Sequence, residues 1–152
     1  MSSTIGSPAG ARSKLPMRES TPVPGSPRVL IIDDEPAICS ALVQVLRRAG
    51  FDPIAARSAP EAETLLSDSI TAMLLDLRMP HMRGDAFYYH ASARFPQLRS
   101  HTLFMTGDIS ADGERLIKQT GCGVLWKPFQ NAVLVDAVRD LLAERSGPMV
   151  AR

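Results

Sequence analysis

Five side chains in this 152-residue sequence could do chemistry together: Asp33, Asp34, Asp76, Thr106 and Lys127. Each follows a short apolar run. Val29-Leu-Ile-Ile32 leads into Asp33-Asp34, Ala72-Met-Leu-Leu75 into Asp76, Leu103-Phe-Met105 into Thr106, and Val124-Leu-Trp126 into Lys127. Such runs read as strands buried on both faces. If the strands are parallel, their ends share one edge of a sheet, and three carboxylates, a hydroxyl and an ammonium meet there. Clustered carboxylates repel, and a hard divalent cation relieves that repulsion. An oxygen-rich site with few protein ligands suits magnesium, which keeps several of its waters. A carboxylate beside such a cation can act as a nucleophile and form an aspartyl-phosphate. The cation, the Lys127 ammonium and the Thr106 hydroxyl would then meet the developing phosphoryl charge.

The elements that must position these residues follow one another regularly. Arg28–Ile32 is the first strand, and Pro36 suits the first turn of the helix after it. Ile38, Leu42, Val45, Leu46 and Ala49 recur at helical spacing, and Gly50 ends that helix. A short strand spans 52–56. Ser58-Ala-Pro-Glu61 is a capping box opening a second helix through Leu66. The Asp76 strand comes next, with Pro80 marking a loop. A third helix runs from Gly84 to about Phe95 and is stopped by Pro96; the fourth strand is His101–Met105. A weak helix from about Ala111 to Gln119 holds Gly113, and the fifth strand is Gly123–Trp126. The last helix covers about Asn131 to Glu144. Alternating strand and helix predicts an α/β fold of flavodoxin-like type: a five-stranded parallel sheet, order 2-1-3-4-5, with helices on both faces. The order reverses between strands 1 and 3, so the expected crevice lies between Asp33 and Asp76.

Composition sets the outer limits. Residues 1–27 hold five prolines, six serines and three glycines without hydrophobic periodicity, which reads as a disordered tail. Residues 28–145 form the folded domain, and 146–152 read as a flexible C-terminus. A formal net charge of +1 argues against a nucleic-acid binder, and no apolar run is long enough to span a membrane. No secretory signal is evident, so the expected location is the cytoplasm. Cys39 and Cys122 lack metal-ligand spacing and read as reduced thiols. His81, His90 and His101 read as surface or packing residues.

Taken singly, Asp33 and Asp34 could be helix N-caps, Thr106 a turn residue and Lys127 a solvated cation. All of them on strand ends of one edge is a much more specific pattern. With that pattern in place, the chain resembles a response-regulator receiver domain of two-component signalling over about Arg28 to Glu144. The motifs that carry the resemblance are Val29-Leu-Ile-Ile-Asp-Asp-Glu35, Leu74-Leu-Asp-Leu-Arg-Met-Pro80 with Met82 and Gly84 beyond, Met105-Thr-Gly107, and Lys127-Pro-Phe129. The resemblance implies that Asp76 is the phosphoacceptor. It implies that Asp33 or Asp34, Asp76 and the backbone carbonyl of Arg78 hold magnesium. Thr106 and Lys127 would contact the phosphoryl group, and the Lys127–Pro128 bond would be cis. The implied donor is a sensor histidine kinase or a phosphotransfer protein, and the output is a downstream protein, because no DNA-binding or enzymatic segment follows residue 145. The chain would then be a stand-alone regulator or the receiver of a hybrid kinase.

One position departs from the family pattern. An aromatic residue that rotates as the threonine moves is expected three residues before the lysine, and Val124 stands there. Trp126 shares Val124's face by strand alternation and is the candidate for part of that switching role. Arg78 and Asp108 flank the expected site mouth and could pair across it. Two other readings compete. A magnesium-dependent phosphatase of the haloacid-dehalogenase type also uses a strand-end Asp, a Thr and a Lys. It places its nucleophile on the first strand, however, and needs a later acidic pair that this chain lacks. An interaction module working without phosphorylation would not need the full acid, threonine and lysine set.

Overall fold

The apolar strands alternate between two cores. Leu30, Ile32, Met73, Leu75 and Phe104 face one side of the sheet, and Val29, Ile31, Leu74, Leu103, Met105 and Leu125 face the other. This is the period-2 consequence of a strand buried on both faces. A computed structural model of the chain describes residues 23–80, 82–107, 110–143 and 150–151. The sequence reading of residues 1–22 as a tail lies outside them.

The principal strands are β1 (Arg28–Ile32), β2 (Asp52–Ala56), β3 (Ile70–Asp76), β6 (Thr102–Thr106) and β7 (Gly123–Trp126). The helices between and after them are α1 (Pro36–Arg48), α2 (Ala59–Leu65), α3 (Gly84–Arg94), α4 (Ala111–Thr120) and α5 (Asn131–Leu142). The sheet order is β2-β1-β3-β6-β7, all parallel, which is the expected five-strand order. Helices α1 and α5 cover one face through Leu42, Leu46, Leu134, Ala137 and Val138. Helices α2, α3 and α4 cover the other through Ala62, Phe87, Tyr88, Ala91 and Leu116.

Two features add to the sequence reading. A sixth strand, β8 (Val150–Ala151), pairs parallel to β7 at the edge of the sheet, within a segment read as flexible. Two residues carry too little pattern to be legible as a strand. The stretch after Asp76, read as loop from Pro80, contains a small antiparallel ribbon, β4 (Arg78–Met79) with β5 (Met82–Arg83). Pro80 lies between the two strands, where no ladder donor is required.

Local chemistry explains the helix starts. The N-cap of α1 is Glu35, without a side-chain capping bond, and Pro36 follows. Asp33 and Asp34 are therefore not the caps they could have been. Helix α2 has the expected box in modified form: Ser58 Oγ accepts from Glu61 N–H at 3.2 Å, and Glu61 Oε2 accepts from Arg57 N–H at 3.1 Å. The reciprocal bond thus reaches one residue beyond the cap. Ser58→Ala should cost about 1 kcal/mol in urea denaturation, since a short helix then starts with an unsatisfied donor. Helix α4 is capped by Ser110 Oγ, which accepts from Gly113 N–H at 3.1 Å, and it ends at Gly121. Gly121 has φ +68°, a left-handed conformation that a glycine adopts without strain.

Helix α3 has no clear apolar stripe, yet it buries Phe87, Tyr88, Ala91 and Ser92. Tyr88 solves its own polarity problem by donating its hydroxyl to Arg99 O at 2.7 Å. Burial pushes its phenol well above the ordinary range. Leu98, in the 3-10 turn Pro96–Arg99, is fully buried, and its carbonyl accepts from Thr102 Oγ1 at 2.7 Å. These contacts anchor the start of β6, whose far end carries Thr106.

Candidate functional site at the carboxyl edge of the sheet

Parallel pairing delivers the expected residues to one edge. Asp76 closes β3, Thr106 closes β6, Asp33 follows β1 directly, and Lys127 follows β7. Strands β1, β3, β6 and β7 are consecutive neighbours, so the four positions converge. Lys127 Nζ donates to Asp33 Oδ2 at 2.7 Å and to Asp76 Oδ2 at 3.1 Å. The Asp33 side chain is fully buried, that of Asp76 is 5% exposed and that of Lys127 is 20% exposed. Carboxylate oxygens of Asp33, Asp34 and Asp76 lie within 4.8 Å of one another, with Asp34 the most exposed of the three. The Thr106 side chain is fully buried beside them.

The backbone holds the acids in place. Asp33 Oδ1 accepts from Glu35 N–H at 2.9 Å, and Asp76 Oδ1 accepts from Arg78 N–H at 2.9 Å. Each is a local turn in which an aspartate accepts from the amide two residues on. Each carboxylate thereby has one oxygen fixed by the backbone and one given to Lys127. Lys127 is itself held by its N–H, which donates to Thr106 O at 2.8 Å. The Lys127–Pro128 bond is cis, as the family resemblance implied. Gly84 lets helix α3 approach this loop: a Cβ there would lie 3.1 Å from Leu77 Cδ2 and 3.8 Å from Asp76 O.

All five residues are legible in the sequence, but one relation among them is not. The residue pattern relieves the carboxylate repulsion with a cation alone and leaves Lys127 for a phosphoryl oxygen. In the structure Lys127 is already the counter-charge of two buried acids. Burial works against its charge, but the Asp33 hydrogen bond and the fields of Asp76 and Asp33 outweigh that and raise its pKa. Burial raises the Asp76 carboxyl, and the Arg78 amide and Lys127 offset this only in part. The amides of Glu35 and Arg78 were also not named. The signal for them was an Asp two residues ahead of a chain reversal.

The donor set fits magnesium, with hard carboxylate oxygens from Asp33, Asp34 and Asp76 close enough to share one cation. Asp108, the proposed partner of Arg78, lies outside the described residues, as does His81. His90 pairs with Glu63 on the surface at 2.8 Å, and His101 Nδ1 bonds Thr71 O at 3.0 Å. Neither faces the acids' edge. Cys39 Sγ donates to Asp33 O at 3.1 Å, and burial, then the Asp33 charge, pushes its thiol up. It is a buried, unreactive thiol.

Residues 29–139 match the family model for the response regulator receiver domain. The chain belongs to the response-regulator receiver family. The receiver is 30% identical over 120 residues to the transcriptional regulatory protein CpxR of Escherichia coli, a match covering 76% of this chain and 49% of CpxR. It is 28% identical over 117 residues to protein Rrf1 of Nitratidesulfovibrio vulgaris, covering 76% of this chain and 83% of Rrf1. The chain thus spans about half the length of CpxR and most of Rrf1. The solved structure of chemotaxis protein CheY4 of Vibrio cholerae superposes with a TM-score of 0.68 at 25% identity, covering 77% of this chain and 99% of that one. A CheY-like receiver from Methanospirillum hungatei reaches a TM-score of 0.72 at 24% identity, covering 78% and 95%, and shares the fold. The receiver is a two-component signalling module of flavodoxin-like architecture. No helix among the described residues is long and apolar enough to cross a membrane.

Proposed function

We propose that Asp76 accepts a phosphoryl group from a phosphohistidine of a sensor kinase or phosphotransfer protein, and that the modified receiver signals to a downstream protein in the cytoplasm. One observation carries this reading: a buried carboxylate at the carboxyl edge of the sheet shares one half-buried lysine with a second buried carboxylate. A structural ion pair needs one acid per lysine. Two acids on one lysine leave an excess negative charge, which suits a cation-assisted reaction.

The chemistry follows from the contacts. An Asp76 oxygen attacks phosphorus, the phosphorus–nitrogen bond of the donor breaks, and the imidazole leaves with the electron pair and takes up a proton. Asp33, Asp34, Asp76 and the Arg78 carbonyl would hold magnesium, which when bound neutralises phosphoryl charge. Lys127 transfers its hydrogen bond from Asp76 to a phosphoryl oxygen while keeping Asp33, so its ammonium moves little. The Thr106 hydroxyl donates to a second phosphoryl oxygen. Both donors sit at strand ends, so they are positioned before the charge develops.

Acetyl phosphate with magnesium supplies the test. Intact mass should show one added phosphoryl group on the wild-type chain and none on Asp76→Asn. Addition of the group to the Asn variant at the wild-type rate would overturn the assignment.

A further inference from the structure

The two edges of the sheet are finished differently. At the β2 edge, Asp52 N–H donates inward to Pro27 O, so alternation along the strand turns the nitrogen of Pro53 outward. A proline there removes a donor that another strand could use, which is one way edge strands are kept from pairing. At the β7 edge, Lys127 N–H donates inward to Thr106 O, so the amides of Val124 and Trp126 face outward. Their strand, Gly123-Val-Leu-Trp126, holds neither a charge nor a proline. It is a template for a further strand, and β8 fills only part of it: Val150 pairs with Val124 and Ala151 with Leu125.

The chain's own route to that edge has the disfavoured hand. The crossovers through α2, α3 and α4 all step toward the β7 edge with their helices on one face of the sheet. The step from β7 to β8 goes the same way, but α5 lies on the opposite face with α1. Its hand is therefore the reverse of theirs, whereas about 98% of parallel crossovers are right-handed. Six residues, 144–149, join Ala143 to Val150. Short connections under strain favour exchange between copies of the element they carry. At roughly 3.3 Å per residue this one reaches about 20 Å, enough to carry β8 to a neighbouring molecule. Pairing in trans involves no crossover, so it keeps the β7–β8 ladder and loses the strain.

We propose that the outer edge of β7 is a strand-addition site at which β8 of a second copy replaces the chain's own, so that two receivers exchange β8 reciprocally. The register already seen between β7 and β8 shows that this edge accepts that segment. The exchange is concentration-dependent, because association costs translational and rotational freedom that pairing within one chain does not. It is independent of phosphoryl chemistry at Asp76.

The full chain provides the test. Of two consecutive strand residues, one points its N–H at the neighbouring strand, so Val150→Pro/Ala151→Pro removes the donor to β7 whichever residue supplies it. Labelled with nitrogen-15, this variant shows the Val124 and Leu125 amides displaced from their wild-type positions. Excess unlabelled wild-type chain moves them back, because its β8 fills the vacated edge, and unlabelled double-proline chain leaves them where they are. Labelled amides that ignore wild-type chain at millimolar concentration would overturn the proposal, as would an equal response to both unlabelled chains. Sedimentation equilibrium on wild type needs no variant. Its weight-average mass climbs with concentration from 16.5 kDa toward twice that value, and a mass that stays at 16.5 kDa at millimolar concentration overturns the proposal by itself.

Discussion

Lys127→Ala is expected to destabilise the protein by about 3 kcal/mol in magnesium-free buffer and to slow phosphoryl uptake from acetyl phosphate about a hundredfold. Removing the lysine leaves Asp33 and Asp76 buried with no counter-charge, and an unpaired buried charge costs far more than the intact pair contributes. The low end of the range applies because Lys127 is one-fifth exposed and water can enter where its side chain was. The deficit depends on pH with a definite sign. Asp76 already has a folded pKa above its unfolded value, and loss of Lys127 raises it further. An acid with a raised folded pKa binds its proton more readily in the native state, so stability grows as pH falls through the carboxylate range. The gap between variant and wild type should therefore be widest at neutral pH and narrow in acid. Magnesium should narrow it too, because the cation supplies the counter-charge the variant lacks and so stabilises the variant more than wild type; a native-state ligand at a hundredfold its dissociation constant adds about 2.7 kcal/mol to the protein that binds it. Urea denaturation across pH, with and without magnesium, reads all three effects. A deficit independent of both pH and magnesium would show that Lys127 acts by packing alone.

Phe104→Ala should cost about 4 kcal/mol, the largest loss expected from a single core position. Phe104 is fully buried in β6, the strand between β3 and β7. It is in register with Leu75 on one side and Val124 on the other. Its ring meets Tyr88 edge-on at 5.5 Å and 63°, a geometry that aromatic pairs favour. Phe104→Leu keeps most of the volume and should cost less than about 1.5 kcal/mol. Because Phe104 lies two residues before Thr106 on the same face, the alanine variant should also weaken the beryllofluoride response while leaving Asp76 in place. Urea unfolding monitored by Trp126 fluorescence measures the stability change. A loss under about 1 kcal/mol would mean that Tyr88 and Leu75 close over the cavity.

What was legible in the sequence was whatever local pattern controls. The four apolar runs ending in polar residues marked strands and their reactive ends together, because a parallel sheet buries both faces of a strand and exposes only its tips. Pro36, the Ser58 box and Gly121 marked helix boundaries through backbone chemistry confined to a few residues. Helix α3 was legible as a helix but its buried face was not, since Tyr88 reaches the core only by bonding to Arg99 eleven residues on. The β4–β5 ribbon escaped because two-residue strands have no periodicity to show.

The sequence by itself determined the strand–helix alternation, the sheet order and the identity of the five edge residues, since these follow from periodicity, crossover handedness and residue type. Tertiary structure decided how those residues share charge. Lys127 lies 94 residues from Asp33 and 51 from Asp76, and no local signal states that one ammonium bridges both. It also decided that Trp126, not Val124, stands opposite Thr106. Cross-strand register is settled by how two separate strands pair, and neither strand carries that information alone.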